Sequence, residues 1–424
     1  MKGNLIIYNA LVVTPVGSTA RQGEEMKDLT IIDNATVEVT DGIITYVGAG
    51  RNEKREGFYQ GYWHINAHGN CLLPGFVDSH THFIFGGERS EEFSMRLAGA
   101  SYMSIMQHGG GIVSTVKATR SSNADSLAEN ARKLIRRMSK MGVTTVEGKS
   151  GYGLDLDTEL MQLQVMRNLN NDGCKLVDIV STFLGAHAVP KEFVGQTDKY
   201  VDFLIDTVMP EVAKNGLARF CDVFCEDNVF SLEQSRKILE AAKKLGMKLK
   251  LHADEIVPLG GAGLAASMHA TSADHLLHAS DKDIKAMADA GVVATLLPLT
   301  AFALKEQYAP ARTMIDTGCA VALATDLNPG SCFSGSIPLT FALACINMNM
   351  SIEEAITALT LNGAAALDLT ASIGSIEVGK AGDFALLCTS NYHFLTYYIG
   401  MNCVSHTIKG GILLSNDNYF QTSC

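Results

Sequence analysis

A chain of 424 residues exceeds one ordinary core and suits a large barrel with a smaller appended unit. Its 47% hydrophobic and 19% charged residues are those of a globular protein, and 45 acidic against 34 basic side chains leave a net charge of −11, which argues against a nucleic-acid partner. Ten cysteines at irregular spacings point to reduced, buried thiols, with Cys221 and Cys225 of ARFCDVFC read as core. Neither a signal-peptide pattern nor a run of about 18 apolar residues occurs, so a cytoplasmic protein without a membrane partner is expected.

Along the chain, LIIYNALVVTP and ATVEVTDGIITYVG alternate in hairpin fashion around the turn signal Asp41-Gly42. LLPGFVDSHTH then reads as an apolar strand running into His80 and His82. The Gly109-Gly110-Gly111 run does not follow a strand, so it reads as a mobile loop and not a phosphate cradle, and His108 beside it as solvated. Leu127, Ala131, Leu134, Ile135 and Met138 form a helical stripe, with Arg136, Arg137 and Lys140 near its carbonyl end and Gly142 ahead of the strand VTTVE. Ser231 with Gln234 makes a capping box; Ile238, Leu239, Ala242 and Leu245 form the next stripe, and Gly246 stops it before MKLKLH. The phrase returns with Gly291 before VVATLL and Gly318 before CAVALATD, a βα rhythm that fits a closed barrel or an open doubly wound sheet. GSIEVGKAGDFALL and HTIKGGILL read as short strands that join the N-terminal ones in a small β domain.

The chemistry gathers at strand ends. His80 and His82, two residues apart on a strand, face one side with Cα atoms ~7 Å apart, and can converge on one ion. MKLKLHADE ends in His252 with Glu255 three residues on, and CAVALATD ends in Asp326 before the loop Leu327-Asn328-Pro329-Gly330-Ser331. Each residue alone reads equally well as a core histidine or a turn aspartate. Together, three histidines and an aspartate from three strands form a set of N and O ligands with room for water, suited to one Zn²⁺ or Fe²⁺. His64, His68, His269, His278, His393 and His406 lack a strand-end context and are read as structural.

PGFVDSHTH, HADE, SADHLLHAS, ATDLNPGS and the terminal GSIEVGKAGDFALL together resemble the amidohydrolase superfamily over nearly the whole chain. The resemblance implies an α/β fold: a (β/α)₈ TIM-like barrel over residues 71–370 with a small β-sandwich domain formed by residues 1–70 and 371–424. Within the superfamily, HTHFIFGGERSEEF with the glycine run, EGKSGYGLD and FLGAHAVP are similar to the branch that opens the cyclic amide of 4-imidazolone-5-propanoate to N-formimino-L-glutamate in histidine degradation. That resemblance implies one metal per chain on His80, His82, His252 and Asp326, and substrate contacts from Arg89, Tyr152, His187, Glu255, Asn328, Gly330 and Ser331. It also implies a further barrel histidine, His275, beside the reacting group, and a cytoplasmic homodimer acting on a small molecule. Gly148 departs from the pattern, standing where a β-branched residue is more usual.

Opening a cyclic amide needs an activated water, an electrophile for the carbonyl oxygen and a proton for the leaving nitrogen. Glu255 and Asp326 are the expected proton carriers, His275 the stabiliser of the oxyanion, and Arg89 the partner of the propionate carboxylate. Three other readings stay open. Arg89 could instead form a surface ion pair with Glu88, Glu91 or Glu92; Lys149 could be a carbamylated ligand of a two-metal site; and the barrel could deaminate a purine, pyrimidine or triazine ring. A non-catalytic barrel with a structural metal is disfavoured because such a site needs neither Glu255 nor His275.

Overall fold

In the computed structural model, which describes residues 2–50, 61–99, 110–173 and 175–414, the alternating N-terminal runs become β1 (Leu5–Thr14), β2 (Thr30–Thr40) and β3 (Ile43–Ala49). Asp41 and Gly42 between the last two both have positive φ, 49° and 80°, as a tight hairpin turn requires. β4 (Trp63–Asn66) and β5 (Cys71–Pro74) then run parallel to β1. The chain enters the barrel at β6 (Phe76–Asp78) and continues through β7 (Val143–Lys149), β8 (Asp178–Ala186), β9 (Phe220–Cys225), β10 (Lys248–Ala253), β11 (Ser272–His275), β12 (Val293–Leu296) and β13 (Val321–Leu323). It returns to the first sheet as β14 (Phe384–Leu387), β15 (Val404–Lys409) and β16 (Ile412–Leu414), giving the order β16-β15-β14-β5-β1-β2-β3 with β4 on β1. Both chain ends thus share one sheet over its own core of Leu5, Ile7, Val37, Leu72, Phe384 and Ile408.

Three expectations change in detail. Cys71–Pro74, expected on the barrel side of a boundary after residue 70, pairs with β1 and β14, because the Pro74-Gly75 step turns the chain into the barrel only afterwards. GSIEVGK forms no strand: Gly374 and Gly379, with φ of 90° and 94°, bend it, and pairing starts at Phe384. Leu245 is 38% exposed, because the helix Leu232–Lys244 has ended by that residue. The capping box of Ser231 and Gln234 and the buried faces of Ala124–Ser139 and Leu232–Lys244 form as expected. His108 and Gly109 lie outside the described residues.

The eight barrel strands are parallel and follow chain order, β6 through β13. First meets last at the mouth, where Thr81 bridges Leu327, the Asp326 amide donates to the His80 carbonyl at 3.0 Å and the His82 amide donates to the Leu327 carbonyl at 2.8 Å. One turn lower, the buried carboxylate of Asp78 accepts from the Thr325 amide at 2.9 Å and hydroxyl at 2.6 Å. Gly148 has a packing reason: a Cβ there would lie 2.9 Å from both the Phe83 ring and the Met166 sulfur. Among the described residues no helix is long and apolar enough to cross a membrane.

Because Asp78 stitches the last strand to the first, Asp78→Ala strands two buried donors of Thr325. We expect a loss of about 2–4 kcal/mol in chemical denaturation. A loss below about 0.5 kcal/mol, the range of ordinary surface substitutions, would show that the barrel closes without it.

Candidate metal centre

The regular part of β6 stops at Asp78, so His80 and His82 do not sit on a continuous strand as expected. They flank Thr81, whose bridge to Leu327 keeps the extended alternation, and both rings therefore point to the same side. His80 Nε2 and His82 Nε2 are 3.3 Å apart, and His252 Nε2 lies 3.4 Å from His82 Nε2. Asp326 Oδ1 lies 3.6 Å from the first and 3.5 Å from the second. Ligand bonds of about 2.0–2.2 Å in a tetrahedron give edges of roughly 3.3–3.6 Å. His80, His82 and Asp326 therefore already stand at the spacing a divalent ion requires, with His252 meeting His82 at the same separation, and the cluster can hold one. His275 brings a ring nitrogen within 4.8 Å of His80 and His252 as well.

Each ring has its lone pair aimed by what sits behind it. His80 Nδ1 is hydrogen-bonded to Asp274 Oδ2 at 2.6 Å, so it carries its proton there and presents a bare Nε2, and His252 Nδ1 faces Asp222 Oδ2 at 3.0 Å. Burial, reinforced by neighbouring rings and by Lys149, holds His80, His82 and His275 well below their ordinary values, so the rings are neutral. The Thr300 hydroxyl donates to Asp326 Oδ2 at 2.6 Å, which turns Oδ1 toward the nitrogens. Burial pushes the Asp326 carboxyl up to about 6, against that hydrogen bond. Several of these strand ends are strained: Asp254, His275, Leu276 and Asp326 have φ of 49°, 75°, 64° and 51°.

The other expected residues surround this cluster. Glu255 Oε1 lies 3.4 Å from His275 Nδ1, and burial first, then Asp326, pushes its carboxyl up to about 8. His187 stacks on His82 with ring centroids 5.1 Å apart and has Nδ1 3.0 Å from the Gly151 carbonyl, so its Nε2 is an acceptor. Its basicity falls to about 3, from burial first and His252 second. Tyr152 is buried with its ring 5.2 Å from that of His187. Arg89 makes the ion pair weighed against a substrate role, Nε to Glu92 at 2.8 Å, yet it is not a surface group. Its side chain is 14% exposed, and a Cβ on Gly330 would lie 2.3 Å from Nη1. The guanidinium therefore lies against the loop after β13. Asn328 organises that loop from within: its Oδ1 accepts from the Gly330 and Ser331 amides at 2.8 Å, and its Nδ2 donates to the Asp326 carbonyl at 2.7 Å.

The residues that the sequence reading passed over are Asp222, Asp274, Glu147, Lys250 and Thr300. The first four carried one available signal: charged residues inside short, otherwise β-like runs, CDVFC, SADH, VTTVEGK and KLKLH. Thr300 had none, since it reaches Asp326 from the helix Pro298–Leu304. Lys149, which also allowed a carbamylated-ligand reading, is engaged in ion pairs, its ammonium 2.6 Å from Asp222 and 3.0 Å from Glu147. Cys221 and Cys225 are buried in the core.

From this geometry, the purified chain is expected to bind about one divalent ion, and His252→Ala or Asp326→Ala to lose it while keeping wild-type circular dichroism. Metal analysis after dialysis decides. Full retention by both variants would remove these residues from the ligand set.

The sequence pattern of the amidohydrolase family matches residues 71–414. The imidazolonepropionase of Bacteroides thetaiotaomicron is 70% identical over 413 residues, covering 97% of this chain and 99% of that protein. That of Clostridium tetani is 56% identical over 419 residues, covering 99% and 100%. A solved 5-methylcytosine deaminase from Klebsiella pneumoniae, liganded with 5-fluorocytosine, superposes with a TM-score of 0.73 at 16% identity and 99% coverage of both chains, a likeness of fold alone. The chain belongs to the amidohydrolase family and, within it, to the imidazolonepropionase family.

Proposed function

We propose that the protein hydrolyses the cyclic amide C–N bond of 4-imidazolone-5-propanoate to N-formimino-L-glutamate, a step of histidine degradation. The observation that carries the reading is a histidine–aspartate metal cluster combined with a partly buried arginine against the loop after β13, in a chain of this family. The metal is one Zn²⁺ or Fe²⁺ per chain on His80, His82, His252 and Asp326, since neutral imidazole and carboxylate suit both. When bound, such an ion supplies Lewis-acid activation of water and carbonyl.

The chain's own residues do the rest. Glu255 takes the proton of the attacking water and passes it to the departing ring nitrogen; its raised carboxyl suits a group that must both accept and release a proton near neutrality. Asp326 shares the first transfer. His275 steadies the developing oxyanion, supported by its position against Glu255 and the ring nitrogens. Arg89 binds the propionate, with Gly330 and Ser331 beside it on the loop that Asn328 shapes. Tyr152 and His187 stand beside His82, where the His187 Nε2 acceptor can take a hydrogen bond from a ring N–H. The ring-deaminase alternative is supported by likeness of fold alone, and a neutral base gives Arg89 nothing to bind.

The protein is cytoplasmic in this reading, with residues 1–70 and 371–424 as the β unit, to whose sheet the strand 71–74 adds, and the chain from there to 370 as the barrel. A homodimer is part of the proposal, supported by the exposed apolar side chains of Tyr397, Ile399 and Met401, and sedimentation velocity tests it.

Two variants test the roles. Arg89→Met should raise KM for 4-imidazolone-5-propanoate about tenfold to a hundredfold, the equivalent of ~1.5–3 kcal/mol for a charge-assisted contact. An unchanged KM, or a ring analogue without the carboxylate bound as tightly by the wild type, would refute the propionate clamp. Glu255→Gln should keep the metal and lower kcat by ~10²–10⁴; wild-type turnover would move the proton transfer to Asp326 or His275.

A further inference from the structure

Behind the ligand rings lies a charged group that none of these roles uses. Glu147, Lys149, Asp222, Lys250 and Asp274 all have fully buried side chains. The Asp222 oxygen that faces His252 Nδ1 at 3.0 Å is also 2.6 Å from Lys149 Nζ. The Asp274 oxygen that faces His80 Nδ1 at 2.6 Å is also 3.6 Å from that same ammonium. Lys250 is anchored elsewhere, 3.0 Å from Glu147 and donating to the Ser79 carbonyl at 3.0 Å, with Asp274 at 3.8 Å. Burial alone would lower the Lys149 amine, but Asp222, Glu147 and Asp274 outweigh it and raise it.

We propose that Lys149 is a positioning residue of the metal centre: one ammonium that holds the two carboxylates behind His80 and His252 and so couples both ligand rings into a unit. A carboxylate behind a ligand histidine fixes its ring and tautomer. Here the oxygens that face the rings also face the same ammonium, Asp222 through a hydrogen bond of 2.6 Å and Asp274 as an ion pair at 3.6 Å, so displacing one disturbs the seat of the other. The inference rests on the four-ligand reading above.

The test measures Zn²⁺ affinity by chelator competition in the full chain. Asp222→Asn and Asp274→Asn should each weaken Zn²⁺ about tenfold to a hundredfold. The double variant should lose at least about fivefold more than the product of the two, because only then is the Lys149 cation left without either carboxylate next to the ion. In a Lys149→Met background, which removes the charge at similar volume, that excess should vanish. Losses that simply multiply with Lys149 present would overturn the coupling. If Lys149→Met proves unable to fold, the cycle in the parent chain decides alone. As a second readout, the Co²⁺-substituted Lys149→Met protein should show a shifted ligand-field spectrum; an unchanged spectrum would also count against the proposal. His252→Ala separates the two levels: Zn²⁺ binding as tight as wild type there would sink the ligand set itself rather than the role of Lys149.

Discussion

The Nε2 atom of His82 stands 3.3 Å from that of His80 and 3.4 Å from that of His252 in a buried barrel mouth, and much of the structure follows from that crowding. Neutral imidazoles presenting lone pairs to each other repel unless a cation sits among them. To present Nε2, His80 and His252 must carry their proton on Nδ1, and a buried N–H needs an acceptor. Asp274 and Asp222 provide it. Two carboxylates buried in a barrel would be prohibitive without cations; Lys149 stands within reach of both and Lys250 within 3.8 Å of Asp274, with Glu147 between the two lysines. A barrel that could have been filled with Val and Leu therefore has a charged interior beneath its active end.

A second group of buried carboxylates solves a different problem. Loops leaving the strand ends have no ladder partner for their amides, and each such donor needs an acceptor. Glu159 accepts from Gly151, Gly153 and Leu154 at 2.8–3.2 Å, which shapes the loop that carries Tyr152. Glu226 accepts from Ile256 at 2.8 Å and Val257 at 3.3 Å, beside Glu255. Asp254 accepts from Gly260, Gly261 and Ala262 at 2.7–3.1 Å, starting the next helix. These side chains take no part in the chemistry and set its geometry.

The strained backbone belongs to the same picture. Asp254, His275, Leu276 and Asp326 adopt positive φ where strands give way to loops. Each such residue costs on the order of 1–3 kcal/mol, and hydrogen bonds hold them there. The Asp326 amide bonds the His80 carbonyl and the Leu276 amide bonds the Ala253 carbonyl, both at 3.0 Å, so the strain is anchored to neighbouring strands.

Much of this was legible in the chain itself. Period-two and period-3.6 patterns are local, and so are caps and turns; hence Asp41-Gly42, the Ser231 box and the Gly142, Gly246, Gly291 and Gly318 stops appear where residue type demanded them. His80-x-His82, His252 and Asp326 were legible too, because strand ends in a parallel barrel open on one face. What no local pattern could show is which distant groups meet. Asp222 looked like part of an apolar run, Lys149 allowed a ligand reading, and the ion pair of Arg89 with Glu92 could be placed only at the surface. Their surroundings, His252 for Asp222, the buried Asp222 and Asp274 for Lys149 and the Gly330 loop for Arg89, lie far along the chain. Tertiary structure alone decided these pairings, because a buried charge is defined by what surrounds it and the surroundings come from all eight strands.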